Sequence, residues 1–146
     1  MASDPQIDKA IDAMLGEWKR SMLTFWALGL LLERPMYGLE IAREVERSTQ
    51  GRMVMRPSTI YQLLRRLESK GLVASRWEQS TLGPPRAYYE ATATGREVVR
   101  RYVQEVFAPG SPISAALGAL MPRIMQQLGM SAPPAAPGKE KRHDKR

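Results

Sequence analysis

Residues 56–71 constrain the fold more than any other part of the chain. The segment places its apolar side chains at the i, i+3, i+4, i+7 spacing of an amphipathic helix, namely at Ile60, Leu63, Leu64 and Leu67. Gly71 follows where a left-handed residue commonly ends a helix. The pattern predicts a short helix over 56–70 with one side buried in a core and the opposite side turned to solvent.

The segments around this helix predict a winged helix-turn-helix. Upstream, residues 5–33 carry helical apolar spacing as one helix or two, and residues 36–50 form a further amphipathic helix ending near Gly51. Downstream, residues 72–78 and 86–92 alternate as strands around a Gly/Pro-rich turn at 79–85. The predicted fold class is mainly α with a small two-stranded β-wing.

The C-terminal third predicts two more helices. Residues 92–107 have a wide apolar stripe that suits a helix docked on partners, and residues 112–128 form a last helix that Pro122 is expected to kink or shorten. The predicted organisation is an N-terminal helical extension (1–19), a winged helix-turn-helix domain (20–92), C-terminal helices (93–128) and a disordered basic tail (129–146).

The side of the 56–70 helix that faces away from the leucines predicts DNA binding. Its residue types suit a helix in the major groove, since Arg reads guanine, Gln reads adenine and small hydroxyl residues permit close approach. The predicted DNA-contacting residues are Ser58, Thr59, Tyr61, Gln62, Arg65, Arg66 and Ser69, with Arg76 and Arg86 of the hairpin contacting phosphate or a narrow minor groove. Glu68 is placed toward the apolar side, and Trp77 is interpreted as a packing residue of the wing.

The distribution of charge agrees with a polyanion as partner. The net charge is +7, and residues 52–101 hold ten basic and four acidic side chains, a net of +6. The tail from 139 onward holds five basic and two acidic side chains and would add nonspecific DNA affinity. A basic surface with no partner, or a solubilising tail, would show the same totals.

The sequence lacks the residues that catalysis and metal binding require. Cysteine is absent, and the single histidine, His143, lies in the tail, so thiol ligands and disulfides are excluded and no acid–base pair stands out. We therefore expect neither an enzyme, nor a metal, nor a cofactor. The start has no signal-peptide pattern and no apolar run would span a membrane, which predicts a cytoplasmic protein.

Three segments resemble the PadR-type transcriptional regulators. They are LTFWALGLLLERPMYGLEIAREVE (23–46), TIYQLLRRLESKGLVASRWE (59–78) and PPRAYYEATATGRE (84–97), in the order and spacing of that family. Leu39 stands where an aromatic residue is common, and Gln62 where proline is common, which adds a base-reading side chain. The resemblance implies a homodimer, often a repressor, whose C-terminal helix packs against the partner's N-terminal helices. It also implies that an aromatic compound can release the DNA.

Two sets of apolar residues follow from this expectation. The predicted dimer interface consists of Trp26, Val99, Tyr102, Val103, Val106 and Phe107. A pocket for a flat aromatic effector is predicted between subunits, lined by Met14, Trp18, Met22, Phe25 and Trp26, with Phe107 as a further candidate. The same side chains would equally form an interface core without any ligand. A second hypothesis for the whole chain is a winged-helix adapter that binds proteins rather than DNA.

Overall fold

The computed structural model describes residues 4–80 and 82–131. The elements are α1 (Pro5–Glu33), β1 (Met36–Tyr37), α2 (Gly38–Ser48), α3 (Pro57–Ser69), β2 (Val73–Glu78), β3 (Arg86–Ala91), α4 (Ala93–Tyr102), a π-helical turn (Val103–Phe107) and α5 (Pro112–Gln127). They fall into two compact units, the first extending to Tyr102 and the second beginning at Val103.

Residues 5–33, which the sequence left open as one helix or two, form a single helix of 29 residues. Asp4 caps it, since its side-chain carboxylate accepts a 2.9 Å hydrogen bond from the Gln6 N–H, and Pro5 occupies the first turn. Gly16 lowers helix propensity but does not interrupt the run. The helix spans about 43 Å.

The sheet has three strands, not the two that the sequence predicts. It is antiparallel in the order β1-β3-β2, with Met36 opposite Tyr89 and Tyr37 opposite Tyr88. The expected helix start at Met36 is therefore wrong, because these two residues pair with β3 before α2 begins at Gly38. Met36 is buried by this pairing. Local apolar spacing cannot report a strand partner some fifty residues away in the chain.

The core of the first unit is built around α3. All four of its predicted apolar side chains are buried, which confirms that expectation for Ile60, Leu63, Leu64 and Leu67. They pack in one cluster with Ile41 and Val45 of α2, Val73 of β2 and the C-terminal half of α1. This burial fixes which side of α3 faces solvent.

The end of α3 sets the position of the hairpin. Gly71 has φ +72°, its N–H donates to the Glu68 carbonyl at 2.9 Å, and the Leu72 N–H donates to the Leu67 carbonyl at 2.9 Å. These paired bonds form a Schellman motif, as expected for a glycine at this position. The chain then enters β2 at Val73.

The start of α4 is locked to the same junction. The Thr92 hydroxyl donates to the Gly71 carbonyl at 2.6 Å and accepts from the Gly95 N–H at 3.0 Å. A Cβ on Gly95 would lie 2.0 Å from the Leu72 carbonyl oxygen, so this close approach requires glycine. The end of α3, the start of β2 and the first turn of α4 therefore meet at one point.

The second unit begins where α4 passes into the π-helical turn. The sequence predicts one helix to Phe107, whereas α-helical geometry ends at Tyr102. In α5, Ser111 is the N-cap, and its hydroxyl accepts from the Ser114 N–H at 3.1 Å. Pro122 does not divide α5, which is assigned as one helix of 16 residues.

Within residues 4–80 and 82–131, no helix is both long enough and apolar enough to cross a membrane. The same residues contain no group of three or more His, Asp or Glu side chains placed to hold a metal ion. Residues 132–146, which include His143 and most of the predicted basic tail, lie outside the described residues.

Candidate nucleic-acid interface

The solvent side of α3 carries the residues that the sequence assigns to DNA. Ser58, Thr59, Gln62, Arg65, Arg66 and Ser69 are all exposed. Their backbone is held rigidly, because the opposite side of the same helix is fully packed in the core. Exposed hydroxyl, amide and guanidinium groups on a fixed helix are the equipment that base reading requires.

Glu68 is kept away from this face by the hairpin. The Ser75 hydroxyl of β2 donates a 2.9 Å hydrogen bond to the Glu68 Oε1 atom. The Glu68 carboxylate is therefore directed at β2, although the residue itself is exposed. In the part of the chain that the structure describes, neither Arg65 nor Arg66 forms an ion pair with a carboxylate. Both guanidinium groups are consequently available to a polyanion.

Tyr61 occupies a more enclosed position than its neighbours on α3. The side chain is half-buried, and its ring lies over Gly38, where an added Cβ would be 2.8 Å from Cε1. Glycine at the first position of α2 therefore makes room for the ring. Tyr61 and Arg65 are four residues apart and therefore lie on the same side of α3. Both lie near residues of the hairpin.

The two hairpin arginines differ in their surroundings. Arg76 lies 3.3 Å from the Glu78 carboxylate, on the face of β2 opposite to Ser75. Arg86 lies over the Tyr37 ring, with its guanidinium carbon 4.6 Å from the ring centroid. The stacked arginine is held in place by the ring, while the other is partly neutralised by its neighbour.

A groove of about 620 Å³ separates α3 from the wing. Its walls combine aromatic, proline and arginine side chains: Tyr37, Leu39, Tyr61, Arg65, Trp77, Pro84, Pro85, Arg86, Ala87 and Tyr89. Buried Tyr89 forms part of this lining, and its burial, together with the Glu68 carboxylate, raises the pKa of its phenol. Among the described lining residues, Arg65 and Arg86 are positively charged and none is a carboxylate.

Trp77 does not pack as the sequence interpretation proposed. Its side chain is 74% exposed on the wall of this groove. Strand alternation places Val73, Ser75 and Trp77 on the same face of β2, so the sequence alone indicates which way Trp77 points. It does not indicate that α3 leaves this end of the strand uncovered.

The predicted interface residues occupy different environments. Val99 is only 7% exposed and belongs to the core of the first unit, so little of it remains for a partner. Trp26 is half-buried against that core, and the Tyr102 ring lies 5.2 Å from the Phe25 ring. In the second unit, Val103 and Phe107 are exposed and Val106 is half-buried.

The predicted effector pocket is not assembled within one chain. Met14 and Trp18 are exposed on the N-terminal half of α1, whereas Met22 and Trp26 are half-buried further along it. A cleft of about 230 Å³ between α1 and α4 contains Phe25 but none of the other four, and its lining is Ser21, Thr24, Phe25, Leu28, Val98, Val99 and Tyr102.

A helix with a packed leucine side and a polar exposed side, followed by a hairpin, defines the class of winged helix-turn-helix proteins. Within that class the chain belongs to the transcriptional regulator PadR-like family, whose model matches residues 27–101. The predicted family membership is thereby confirmed. Proteins of this family are transcriptional regulators, not enzymes.

Individual relatives agree with this assignment. A PadR family regulator from Eggerthella lenta superposes with a TM-score of 0.60 and is 27% identical, over 88% of this chain and all of the other. An uncharacterized protein from Lysinibacillus sphaericus is 31% identical over 53% of this chain and 72% of its own length. Bacillus subtilis PadR, solved in complex with operator DNA, shares the fold with a TM-score of 0.52 and 19% identity, over 73% of this chain and 62% of that one.

Proposed function

We propose that the protein is a cytoplasmic homodimeric repressor that binds a specific sequence in duplex DNA. The observation that carries the proposal is the exposed side of α3, which presents a glutamine, small hydroxyl residues and two arginines that pair with no carboxylate among the described residues. Family membership supports a role in transcriptional regulation. By analogy with the Bacillus subtilis protein, which was solved in complex with operator DNA, the expected target is an operator.

A role as protein-binding adapter is less well supported by the same face. Protein interfaces are anchored by buried aromatic and aliphatic side chains, whereas the solvent side of α3 offers only polar and charged ones. Arg65 and Arg66 would have to be desolvated against an apolar partner at considerable cost. Phosphates and base edges satisfy both groups directly.

The dimer is supported by apolar helix surfaces that remain exposed in each unit. In the first unit, the N-terminal half of α1 exposes 45–56% of Ile7, Ile11, Leu15 and Trp18. In the second, α5 and the residue after it expose 40–65% of Ile113, Leu117, Leu120, Met121, Ile124 and Leu128. Contiguous apolar surface of this kind marks an interaction site. In the proposal residues 1–19 and 93–128 serve assembly, and residues 20–92 serve DNA binding.

An aromatic effector is part of the proposal and is assigned to the cleft between α1 and α4. Phe25 and Tyr102 offer ring faces there, and Ser21 and Thr24 offer hydroxyl groups that would orient a polar substituent. Phe25 is the residue that this cleft shares with the predicted effector pocket. The expected signature is release of bound DNA when a small aromatic compound is titrated into the complex.

The test of DNA reading is selection of bound duplexes from a random pool with the full chain. A two-fold symmetric motif is the expected result, because a homodimer presents two α3 helices related by two-fold symmetry. Affinity for the selected duplex should fall steeply with salt, since each neutralised phosphate releases counterions. Failure to enrich any sequence, with a flat salt titration, would refute the proposal.

Arg65→Ala then tests the face itself. Loss of one base or phosphate contact should weaken binding to the selected duplex by about 1–3 kcal/mol. Arg101→Ala is the matched control, because Arg101 is an exposed arginine on α4 that pairs with Glu97 at 2.8 Å. The control should bind as the wild type does. Equal affinity of both variants would remove α3 from the interface.

Val103→Glu tests the dimer. A carboxylate on this exposed residue of the second unit should yield monomers that bind DNA poorly, because a charge buried in an interface without a partner is costly. Ser48→Glu adds the same charge at an exposed polar position of α2, outside both segments assigned to assembly, and should remain dimeric. Light scattering measures both masses, and a dimeric Val103→Glu protein would place the interface elsewhere.

A further inference from the structure

We propose that the groove between α3 and the wing holds one sugar-phosphate strand of the bound duplex, with the Trp77 indole packed against it. The inference rests on the proposed DNA-binding function and adds a contact residue that the sequence assigns to packing. Its starting observation is that a large apolar side chain stands 74% exposed on a wall of that groove.

The hairpin geometry directs the Trp77 side chain toward the DNA-facing end of α3. Trp77 shares its strand face with Val73, which is buried, and with Ser75, which bonds to Glu68 of α3. Along this face of β2, Val73 lies in the core, Ser75 contacts α3, and Trp77 is exposed to solvent. The indole lines the groove together with Tyr61 and Arg65, the two α3 residues in its lining.

The charge of the groove selects a polyanion as occupant. Arg65 contributes a guanidinium from α3 and Arg86 contributes one from the wing, while no carboxylate of residues 4–80 or 82–131 lines the groove. Stacking on Tyr37 holds the Arg86 guanidinium at 4.6 Å from the ring, so its position is set before the ligand arrives. Two cations in the lining of one open channel match a phosphodiester backbone better than an apolar peptide.

The apolar walls match the other half of a nucleotide strand. Pro84, Pro85 and the Tyr61 ring line the groove together with the indole. Deoxyribose carbons and the faces of bases pack on such surfaces, and the indole N–H donates to an acceptor such as a phosphate oxygen. Gln62 and Arg66 are exposed on the same helix outside this groove, so a strand held in the groove would leave both side chains available to read bases.

Trp77→Ala tests the inference, with the selected duplex as probe and the full chain as protein. Affinity should fall about tenfold, the scale of one lost stacking contact. Trp77→Phe keeps an aromatic face and should recover most of the affinity. Leu82→Ala is the matched control, because Leu82 is an apolar wing residue that is 98% exposed but does not line the groove. It should bind within about twofold of the wild type.

Quenching of tryptophan fluorescence by acrylamide, a neutral molecule that DNA does not repel, reports whether the indole is accessible. The difference between wild type and Trp77→Phe isolates the signal of Trp77 from those of Trp18 and Trp26. This signal should be quenched strongly in the free protein and protected when the duplex is added. Protection already present without DNA would mean that another part of the protein, or a second copy, covers the groove, and would overturn the inference.

The outcomes separate the two proposals. If the wild type and Leu82→Ala bind the duplex and Trp77→Ala binds equally well, the groove contact is wrong while DNA binding stands. If the wild type binds no duplex, both proposals fail together. Because Trp77 is mostly exposed, its replacement should leave the thermal unfolding midpoint unchanged, which excludes misfolding as the cause of weaker binding.

Discussion

Gly95→Ala should destabilise the protein strongly although it adds one methyl group. The new Cβ would lie 2.0 Å from the Leu72 carbonyl oxygen and 3.0 Å from its carbonyl carbon. Contacts below 3.0 Å essentially never occur for a Cβ, so the oxygen and α4 must separate by about 1 Å. The two Leu72 atoms at this contact belong to the backbone, so no side-chain rotation can relieve it.

The magnitude follows from what this separation breaks. The Leu72 carbonyl accepts the Thr92 N–H at 3.1 Å, and Thr92 caps α4 through the Gly95 N–H at 3.0 Å. Overpacking costs about 1–3 kcal/mol. Two weakened hydrogen bonds cost about 1 kcal/mol each. Alanine returns about 1 kcal/mol through its higher helix propensity. The expected net loss is about 2–4 kcal/mol.

Urea unfolding followed by far-ultraviolet circular dichroism measures this loss, at one protein concentration because a dimer's stability depends on it. Gly29→Ala is the matched control, since Gly29 lies within α1 and an added Cβ there meets no atom within 4 Å. The control should gain about 0.5–1 kcal/mol. If both variants shifted the midpoint in the same direction, the role of Gly95 in joining α3, β2 and α4 would be refuted.

Two further predictions concern local structure. Gln50 has φ +53°, so Gln50→Gly should stabilise the protein by about 1 kcal/mol in the same assay, and an unchanged or lower midpoint would contradict strain at this residue. Hydrogen bonds from Arg100 and then Arg101 lower the pKa of Glu97 to about 2, below its ordinary value of 4.5. A lowered folded-state pKa gives stability that is present above the unfolded value and lost as the pH falls, here between about 4.5 and 2. Glu97→Gln should flatten acid destabilisation over that interval, and parallel curves for both proteins would show that the pairs contribute nothing.

The helices and their buried sides were predictable from the sequence because their signals are local. The spacing of the four apolar residues of α3 and the glycine after it specify both the core side and the end of that helix. The exposed side of α3 follows from the same geometry. Family membership was predictable because three separate segments occur in the right order, and residues 27–101 match the family model.

The features that the sequence did not reveal depend on contacts between distant segments. The third strand exists only because Met36 and Tyr37 pair with β3. The exposure of Trp77 depends on where α3 ends beneath the hairpin, and the burial of Val99 depends on how α4 lies against α1.

The short strand β1 lowers the entropic cost of binding a partner at the wing. Because Tyr37 is hydrogen-bonded into the sheet opposite Tyr88 and leads directly into α2, the base of the hairpin is already ordered before any ligand arrives. A pre-organised binding surface converts more of its contact energy into affinity, and mutations that loosen β1 should therefore weaken binding of that partner.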